Sequence, residues 1–245
     1  MKRRLFLAST ALTLTGCAHE SNALNQTGWV RKIVDSAESF DAAVIDDRGN
    51  AKLYLPRDIS ATFPIDSFPT PASGAYRMYV RDDFASYRLH AGGAVESPRE
   101  FSLRDLRSLR SRSQITRHDC VEGWSAIGMW RGVLLGDLLT LIVPSSKARF
   151  VVFRCMDMTF NHTLYYESLD LRQARHPQTL LALDFNGKPL RPEHGAPVRL
   201  RVPTQLGYKS AKWIYRIELV PSLANIGSGK GGFWEDQGYE WFAGI

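Results

Sequence analysis

The chain has 245 residues, 44% hydrophobic and 23% charged, so it can bury a core instead of remaining disordered. Its three cysteines form no Cys-x-x-Cys pair and no Cys-x-x-Cys-His, which excludes a disulfide-rich scaffold, a zinc ribbon and covalently attached c-type haem. Of the net charge of +6, half comes from Lys2, Arg3 and Arg4, and the remaining excess is ordinary for a globular domain, so nucleic acid is not an expected partner.

Met1 to Arg4 is basic, Leu5 to Gly16 is an uncharged stretch of twelve residues, and small residues precede Cys17. Twelve is short of the roughly 18 to 20 residues that cross a bilayer, so residues 1–16 read as a signal peptide. Arg3-Arg4-Leu5-Phe6-Leu7 resembles a twin-arginine export motif, and Leu14-Thr15-Gly16-Cys17 resembles a lipoprotein cleavage box. Together they imply export of a folded chain, acylation of Cys17 and a periplasmic protein held to a membrane by its lipid. Residues 17–50 read as a tether, with a short amphipathic helix over 30–40, and residues 51–245 as one domain.

Along the domain, Tyr76 to Arg81 alternates like a strand, whereas Ser102 with Asp105 three residues on marks the start of a helix reaching Leu109. Leu134 to Ile142 predicts a second helix, Arg149 to Phe153 a buried strand, and Ser168 the cap of a helix over 169–175. Leu180–Phe185 and Lys188–Leu190 flank Asn186-Gly187, the signature of a tight hairpin. Strands follow at 198–202 and 212–219; beyond Pro221 a glycine-rich stretch precedes Phe233-Trp234 and Tyr239-Glu240-Trp241-Phe242, which read as a tail anchored back on the domain. Short helices interleaved with hairpins predict an α+β fold of mixed sheet, and there is no Gly-x-Gly-x-x-Gly or Walker loop to hold a nucleotide.

Cys120 stands where a strand gives way to the polar turn Arg117-His118-Asp119-Cys120-Val121-Glu122-Gly123-Trp124-Ser125. A thiol beside cations such as Arg117 is readily deprotonated and suits a soft metal. The same position also suits a buried structural thiol, or a disulfide with Cys155 after export.

Cys120-Val121-Glu122-Gly123-Trp124-Ser125 resembles the setting of the molybdenum-ligating cysteine in molybdopterin-dependent oxidoreductases of the sulfite oxidase superfamily, particularly their small bacterial members. The likeness covers about residues 76–245. It continues through Leu180-Leu181-Ala182, Asn186 to Leu190, His194-Gly195-Ala196-Pro197-Val198-Arg199-Leu200, Gly207-Tyr208-Lys209-Ser210-Ala211-Lys212 and the terminus Gly232 to Ile245. It implies the superfamily's molybdopterin-binding domain without the immunoglobulin-like domain of larger relatives. It also implies a molybdenum–molybdopterin cofactor of the plain form, with Cys120 as metal ligand.

By the same resemblance, His194 lies against the pterin and Arg199, Ser210, Ala211 and Lys212 meet its phosphate, with Arg81 as a further contact and Cys155 lining the pocket as an unbridged thiol. Arginine, lysine and backbone donors are what such an anion requires. Tyr165 or Tyr166, with Tyr165 the better match, corresponds to a pocket tyrosine. Asp157, His162, Arg117 and His118 are further pocket candidates, and Arg131 could attract an anion. The implied reaction is two-electron oxygen-atom transfer, either sulfoxide reduction or sulfite-like oxidation, on a small sulfur-containing substrate. The chain has no haem motif, so electrons would pass to or from a separate partner, a membrane cytochrome b or a soluble cytochrome c; a monomer is expected. Two other classes remain: a hydrolase or transferase using Cys120 with His118 as base, and a cofactor-free binding lipoprotein.

Overall fold

A computed structural model describes residues 49–65 and 68–245; the export signal, Cys17 and the helix expected over 30–40 lie outside the described residues. In chain order the elements are α1 (Gly74–Arg81), β1 (Arg88–Gly93), β2 (Arg99–Ser102), α2 (Leu103–Ser108), β3 (Ser111–Asp119), β4 (Ser125–Leu134), α3 (Leu135–Ile142), β5 (Phe150–Met158), β6 (Leu164–Asp170), α4 (Leu171–Ala174), β7 (Leu180–Phe185), β8 (Lys188–Pro189), β9 (Arg199–Arg201), β10 (Ile214–Val220) and α5 (Phe233–Asp236). Short 3-10 turns occur at Pro56–Asp58, Pro192–His194 and Gly207–Lys209. One sheet has the order β2-β1-β10-β5-β6, antiparallel except for β1 beside β10. The other runs β3-β4-β7-β8, with β9 also paired to β7. This is the mixed-sheet, short-helix architecture that the sequence predicts.

Local chemistry accounts for several elements. Helix α2 is closed by the expected capping box: the Asp105 amide donates to Ser102 Oγ at 3.1 Å, and the Ser102 amide donates to Asp105 Oδ2 at 2.9 Å. Helix α3 buries Leu135, Leu138, Leu139 and Ile142, the i, i+3, i+4, i+7 stripe of a core-facing helix. Each such side chain contributes about 1.5–3 kcal/mol by leaving water. The β7–β8 hairpin turns on Asn186 and Gly187, at φ of 48° and 79°, the left-handed conformations that pair of residues tolerates. Among the described residues, no helix is long and apolar enough to cross a membrane.

Two expectations are corrected. Tyr76 to Arg81 is helix α1, not a strand: Ser73 Oγ accepts from the Tyr76 amide at 3.2 Å and starts a helix whose Tyr76 and Tyr79 share one face, while Met78 and Val80 are left exposed. The apolar residues fitted a period of two, but the helix uses only the aromatic pair. The helix expected from Ser168 begins later, because β6 stays paired with β5 as far as Asp170. Asp170 is the cap, accepting from the Gln173 amide at 2.6 Å, and the helix is the single turn Leu171–Ala174.

The C-terminal segment folds back as expected. Trp241 Nε1 donates to Ser168 Oγ at 2.9 Å, and the Leu206 amide donates to the Ala243 carbonyl at 2.8 Å. Its deepest anchor is ionic. Lys209 Nζ lies 2.5 Å from Glu167 Oε1 and 2.6 Å from Glu235 Oε1, and the three side chains are essentially without solvent exposure. Burial and the adjacent Glu235 push the Glu167 carboxyl well above its ordinary value. Burial alone would lower Lys209, but Glu167 and Glu235 overcome it and hold the ammonium charged.

A carboxyl with a raised folded pKa binds its proton more tightly when folded, so its contribution to stability falls as pH rises above the ordinary 4.5. Denaturation measured across pH should therefore show a flatter dependence above that value for Glu167→Gln than for the wild type. Lys209→Met, which leaves the buried carboxylates without their cation, should lose about 3–5 kcal/mol in the same assay.

Candidate active site

The end of β3 alternates inward and outward, so Thr116, His118 and Cys120 are buried in succession while Arg117 is exposed. Beyond Asp119 the chain turns sharply: the Cys120 amide donates to the Trp124 carbonyl at 2.9 Å, and the Gly123 amide donates to the Cys120 carbonyl at 3.1 Å. Cys120 and Cys155 are both unbridged, so Cys155 is a free thiol and not a disulfide partner; it is fully buried in the hydrophobic core. Burial, with Asp157 and Glu167 nearby, pushes the Cys155 thiol well above its ordinary value, so it stays protonated.

Arg117, the cation that the sequence placed beside Cys120, is paired with a carboxylate. Its Nε lies 2.8 Å from Asp119 Oδ1, and that carboxylate fixes an exposed guanidinium. The cation that enters this region is Arg201, fully buried on β9. It donates to Thr116 Oγ1 at 3.2 Å, to Ser210 Oγ at 3.4 Å and to the Arg117 carbonyl, and its Nη1 lies 3.4 Å from His118 Nδ1. A guanidinium can only donate, so a hydrogen bond here requires His118 Nδ1 as the acceptor. Nε2 faces Gly207, where an added Cβ would come within 2.5 Å of it. His118 is thus packed between the Arg201 guanidinium and the Gly207 turn, in the wall of the buried arginine group.

Two residues back on β9, Arg199 is also fully buried and donates to the His194 carbonyl at 3.3 Å. Both guanidinium groups lie over the Trp130 ring, at 5.2 Å and 5.6 Å from its centroid. Phe63 packs against His118, Trp124, Trp130, Phe185 and His194, with ring centroids 4.9–6.0 Å apart, and so joins the Cys120 side of the site to the His194 side. A second group, Asp157, Tyr165, Ser210, Ala211 and Lys212, lines one cavity with Phe68, Gly207 and Tyr208. Asp157 reaches it through a bulge: Arg154 pairs with Tyr166 and Met158 with Leu164, so β5 carries two more residues than β6 between these pairs.

Adjacent tyrosines on β6 point to opposite faces. Tyr165 is buried, and its hydroxyl donates to the Tyr208 carbonyl at 2.9 Å on the cavity side. Tyr166 instead donates to the Asp236 carboxylate in α5. Burial, reinforced by Glu167, raises the Tyr165 phenol well above 10, so it remains a neutral hydroxyl.

Three other candidates are placed elsewhere. Arg81 sits exposed in the last turn of α1 and is not among the cavity's lining residues. Arg131 pairs with Asp184 at 2.9 Å, where Arg107 also binds, and His162 lies exposed in the β5–β6 loop. The sequence reading missed Phe63, Trp130 and Arg201. For Arg201 a signal existed, since it lies two residues from Arg199 on a strand and so shares its face. The donor set, with buried Arg199, Arg201 and Lys212 and the Ser210 hydroxyl, fits an anionic pterin phosphate, and Gly207 lets the turn that carries Ser210 and Lys212 pack directly on His118, two residues before the Cys120 thiol.

Residues 77–224, more than half of the chain, match the family described as the oxidoreductase molybdopterin binding domain. The chain is 36% identical to a provisionally named protein-methionine-sulfoxide reductase subunit of Azospira oryzae, over all of this chain and 86% of that one. It is 38% identical to the protein-methionine-sulfoxide reductase catalytic subunit of Xanthomonas axonopodis, over 56% of this chain and 46% of that one. To the catalytic subunit of the same description from Xanthomonas campestris it is 30% identical, over 90% and 69% respectively. Among solved structures, sulfane dehydrogenase SoxCD from Paracoccus pantotrophus superposes with a TM-score of 0.51 at 23% identity, covering 56% of this chain and 39% of that one, a likeness of fold.

The contact at Gly207 yields a measurable expectation. Gly207→Ala places a methyl 2.5 Å from His118 Nε2 and should cost about 1–3 kcal/mol in denaturant unfolding, as overpacking does. Gly74→Ala, in the first turn of α1 with nothing within 4 Å of the added methyl, should be neutral or slightly stabilising.

Proposed function

The chain belongs to the molybdopterin-binding oxidoreductase family of the sulfite oxidase superfamily, and from that premise we propose that it is an exported molybdenum–molybdopterin enzyme that reduces methionine sulfoxide in proteins. The observation that carries the substrate class is the distribution of charge. Two of the exposed cations that could draw an anion from solvent are tied to carboxylates, Arg117 to Asp119 and Arg131 to Asp184, which it shares with Arg107. Arg199, Arg201 and Lys212 are buried where a pterin phosphate would use them. Glu122 and Glu240 stand exposed near Cys120 and beside Val121, a setting that repels sulfite and admits a neutral sulfoxide. The names of the relatives from Azospira and Xanthomonas support the same choice.

In this reading Cys120 would supply the thiolate to molybdenum, and His194, Arg199, Ser210, Ala211 and Lys212 would hold the pterin and its phosphate, with Arg201 supporting Ser210 and Cys155 in the core close to Asp157 and Lys212. The bound cofactor supplies two-electron oxygen-atom chemistry. Reduction of a sulfoxide to a thioether consumes two electrons and two protons and releases one water. Tyr165 is neutral and its one hydroxyl proton rests on the Tyr208 carbonyl, so it reaches the sulfoxide oxygen by turning from that acceptor to the substrate. Asp157 in the same cavity can hold and pass a proton at its carboxyl oxygen.

Residues 1–16 serve as a twin-arginine signal and residues 17–50 as a tether acylated at Cys17, so the enzyme works in the periplasm, attached to the membrane as a monomer. Electrons come from a cytochrome partner, for which a membrane cytochrome b suits a lipid-held enzyme better than a soluble cytochrome c.

Protein from a host competent in twin-arginine export should contain about one molybdenum per chain, and Cys120→Ser should change the metal's absorption spectrum. Neither metal nor pterin fluorescence in folded protein, from cells that load other molybdoenzymes, would overturn the reading. On methionine sulfoxide, Tyr165→Phe should lower kcat on the order of 100-fold. Tyr166→Phe should keep its activity and lose about 1 kcal/mol of stability, one hydrogen bond's worth.

A further inference from the structure

A second cavity, of about 500 Å³, opens beside the Cys120 turn, between Val121, Leu206 and Tyr208 on one side and Tyr239, Phe242 and Ala243 of the C-terminal segment on the other. We infer that it is a substrate subsite that takes an apolar side chain flanking the sulfoxide of a polypeptide, an inference that rests on the sulfoxide-reductase reading.

Three observations carry it. The cavity adjoins the catalytic one: Val121 follows Cys120 directly, and Tyr208 lines both, its carbonyl holding Tyr165 while its own hydroxyl reaches the tail. An extended peptide advances about 3.3 Å per residue with side chains to alternate sides, so a residue next to the sulfoxide falls within reach. Polar groups in the wall are engaged within the protein. The Tyr208 hydroxyl donates to the Glu240 carbonyl at 2.6 Å, the Leu206 amide to the Ala243 carbonyl at 2.8 Å and the Ala243 amide to Gln205 Oε1 at 3.2 Å. Glu240 also lines the cavity; the rest of the wall is mainly aromatic and aliphatic, and the volume suits a phenylalanine or leucine side chain. Val121 and Tyr239 are exposed by 41% and 38%, apolar surface at the mouth that such a side chain would cover.

The test compares kcat/KM for two short peptides, one with phenylalanine and one with glycine beside methionine sulfoxide, with dimethyl sulfoxide as a substrate too small to use the subsite. Wild type should favour the phenylalanine peptide by about tenfold or more. Ala243→Phe fills the cavity and Tyr239→Ala removes one wall; each should bring the ratio close to one while dimethyl sulfoxide turnover stays within about twofold. Calorimetry with the corresponding thioether peptides should show the same order of affinities and the same loss in the variants. If Ala243→Phe does not fold, Tyr239→Ala reads the same ratio. Equal rates for both peptides in wild type, or an unchanged ratio in the variants, would overturn the subsite while leaving sulfoxide reduction intact. No turnover of any sulfoxide by molybdenum-loaded protein would overturn the sulfoxide reading and the subsite together.

Discussion

Lys209 is an ammonium group with no contact with water, held between two carboxylates that are equally enclosed. Such a group is costly to bury, and its partners are fixed in consequence: Glu167 belongs to β6, Glu235 to α5 and Lys209 to the turn between β9 and β10. One ionic cluster therefore determines where three separate segments meet. The turn that carries Lys209 also carries Gly207, Tyr208, Ser210 and Lys212, so the geometry of the candidate site follows from it. Tyr165, two residues before Glu167 on the same strand, is placed by the same constraint.

The second organising feature is the pair of arginines on β9. Guanidinium groups buried over an indole face lose water but gain the ring quadrupole and several neutral acceptors, Thr116 Oγ1, Ser210 Oγ and the carbonyls of Arg117 and His194. Positive charge held in this way favours an anion above neutral ligands. Of the exposed arginines, Arg117 is paired with Asp119, and Arg131 shares Asp184 with Arg107, whereas Arg199 and Arg201 hold their charge fully buried.

What the sequence reveals of this arrangement depends on how local the physics is. The α2 capping box, the Asn186-Gly187 turn, the α3 stripe and the Cys120 turn each rest on a few consecutive residues, and each is legible. Tyr76 to Arg81 misleads because its apolar positions satisfy both periods, and only Ser73 before them, with the aromatic spacing of three, points to a helix. Resemblance brought Arg199, Ser210 and Lys212 into view, and Arg201 was within reach by strand alternation. Phe63, Trp130 and the Glu167–Lys209–Glu235 cluster were not, because their contacts join residues 26 to over 60 positions apart and no local pattern encodes such pairings. The bulge that lifts Asp157 into the cavity is equally non-local, a mismatch between paired strands that neither strand shows alone.

Tyr208 shows how the cluster, the cleft and the tail act as one unit. Its backbone carbonyl receives the Tyr165 hydroxyl, its side chain reaches the carbonyl of Glu240, and its neighbour in the chain is Lys209. A displacement of the C-terminal segment would therefore be felt at the Tyr165 hydroxyl through a single residue, with no long chain of contacts. The tail forms part of the wall beside Cys120 and also fixes the turn behind it, so substitutions there should divide into two kinds. Those that remove Glu235 loosen the turn and act on the cofactor site as a whole. Those at Tyr239 or Ala243 reshape the wall and leave the buried ionic anchor in place.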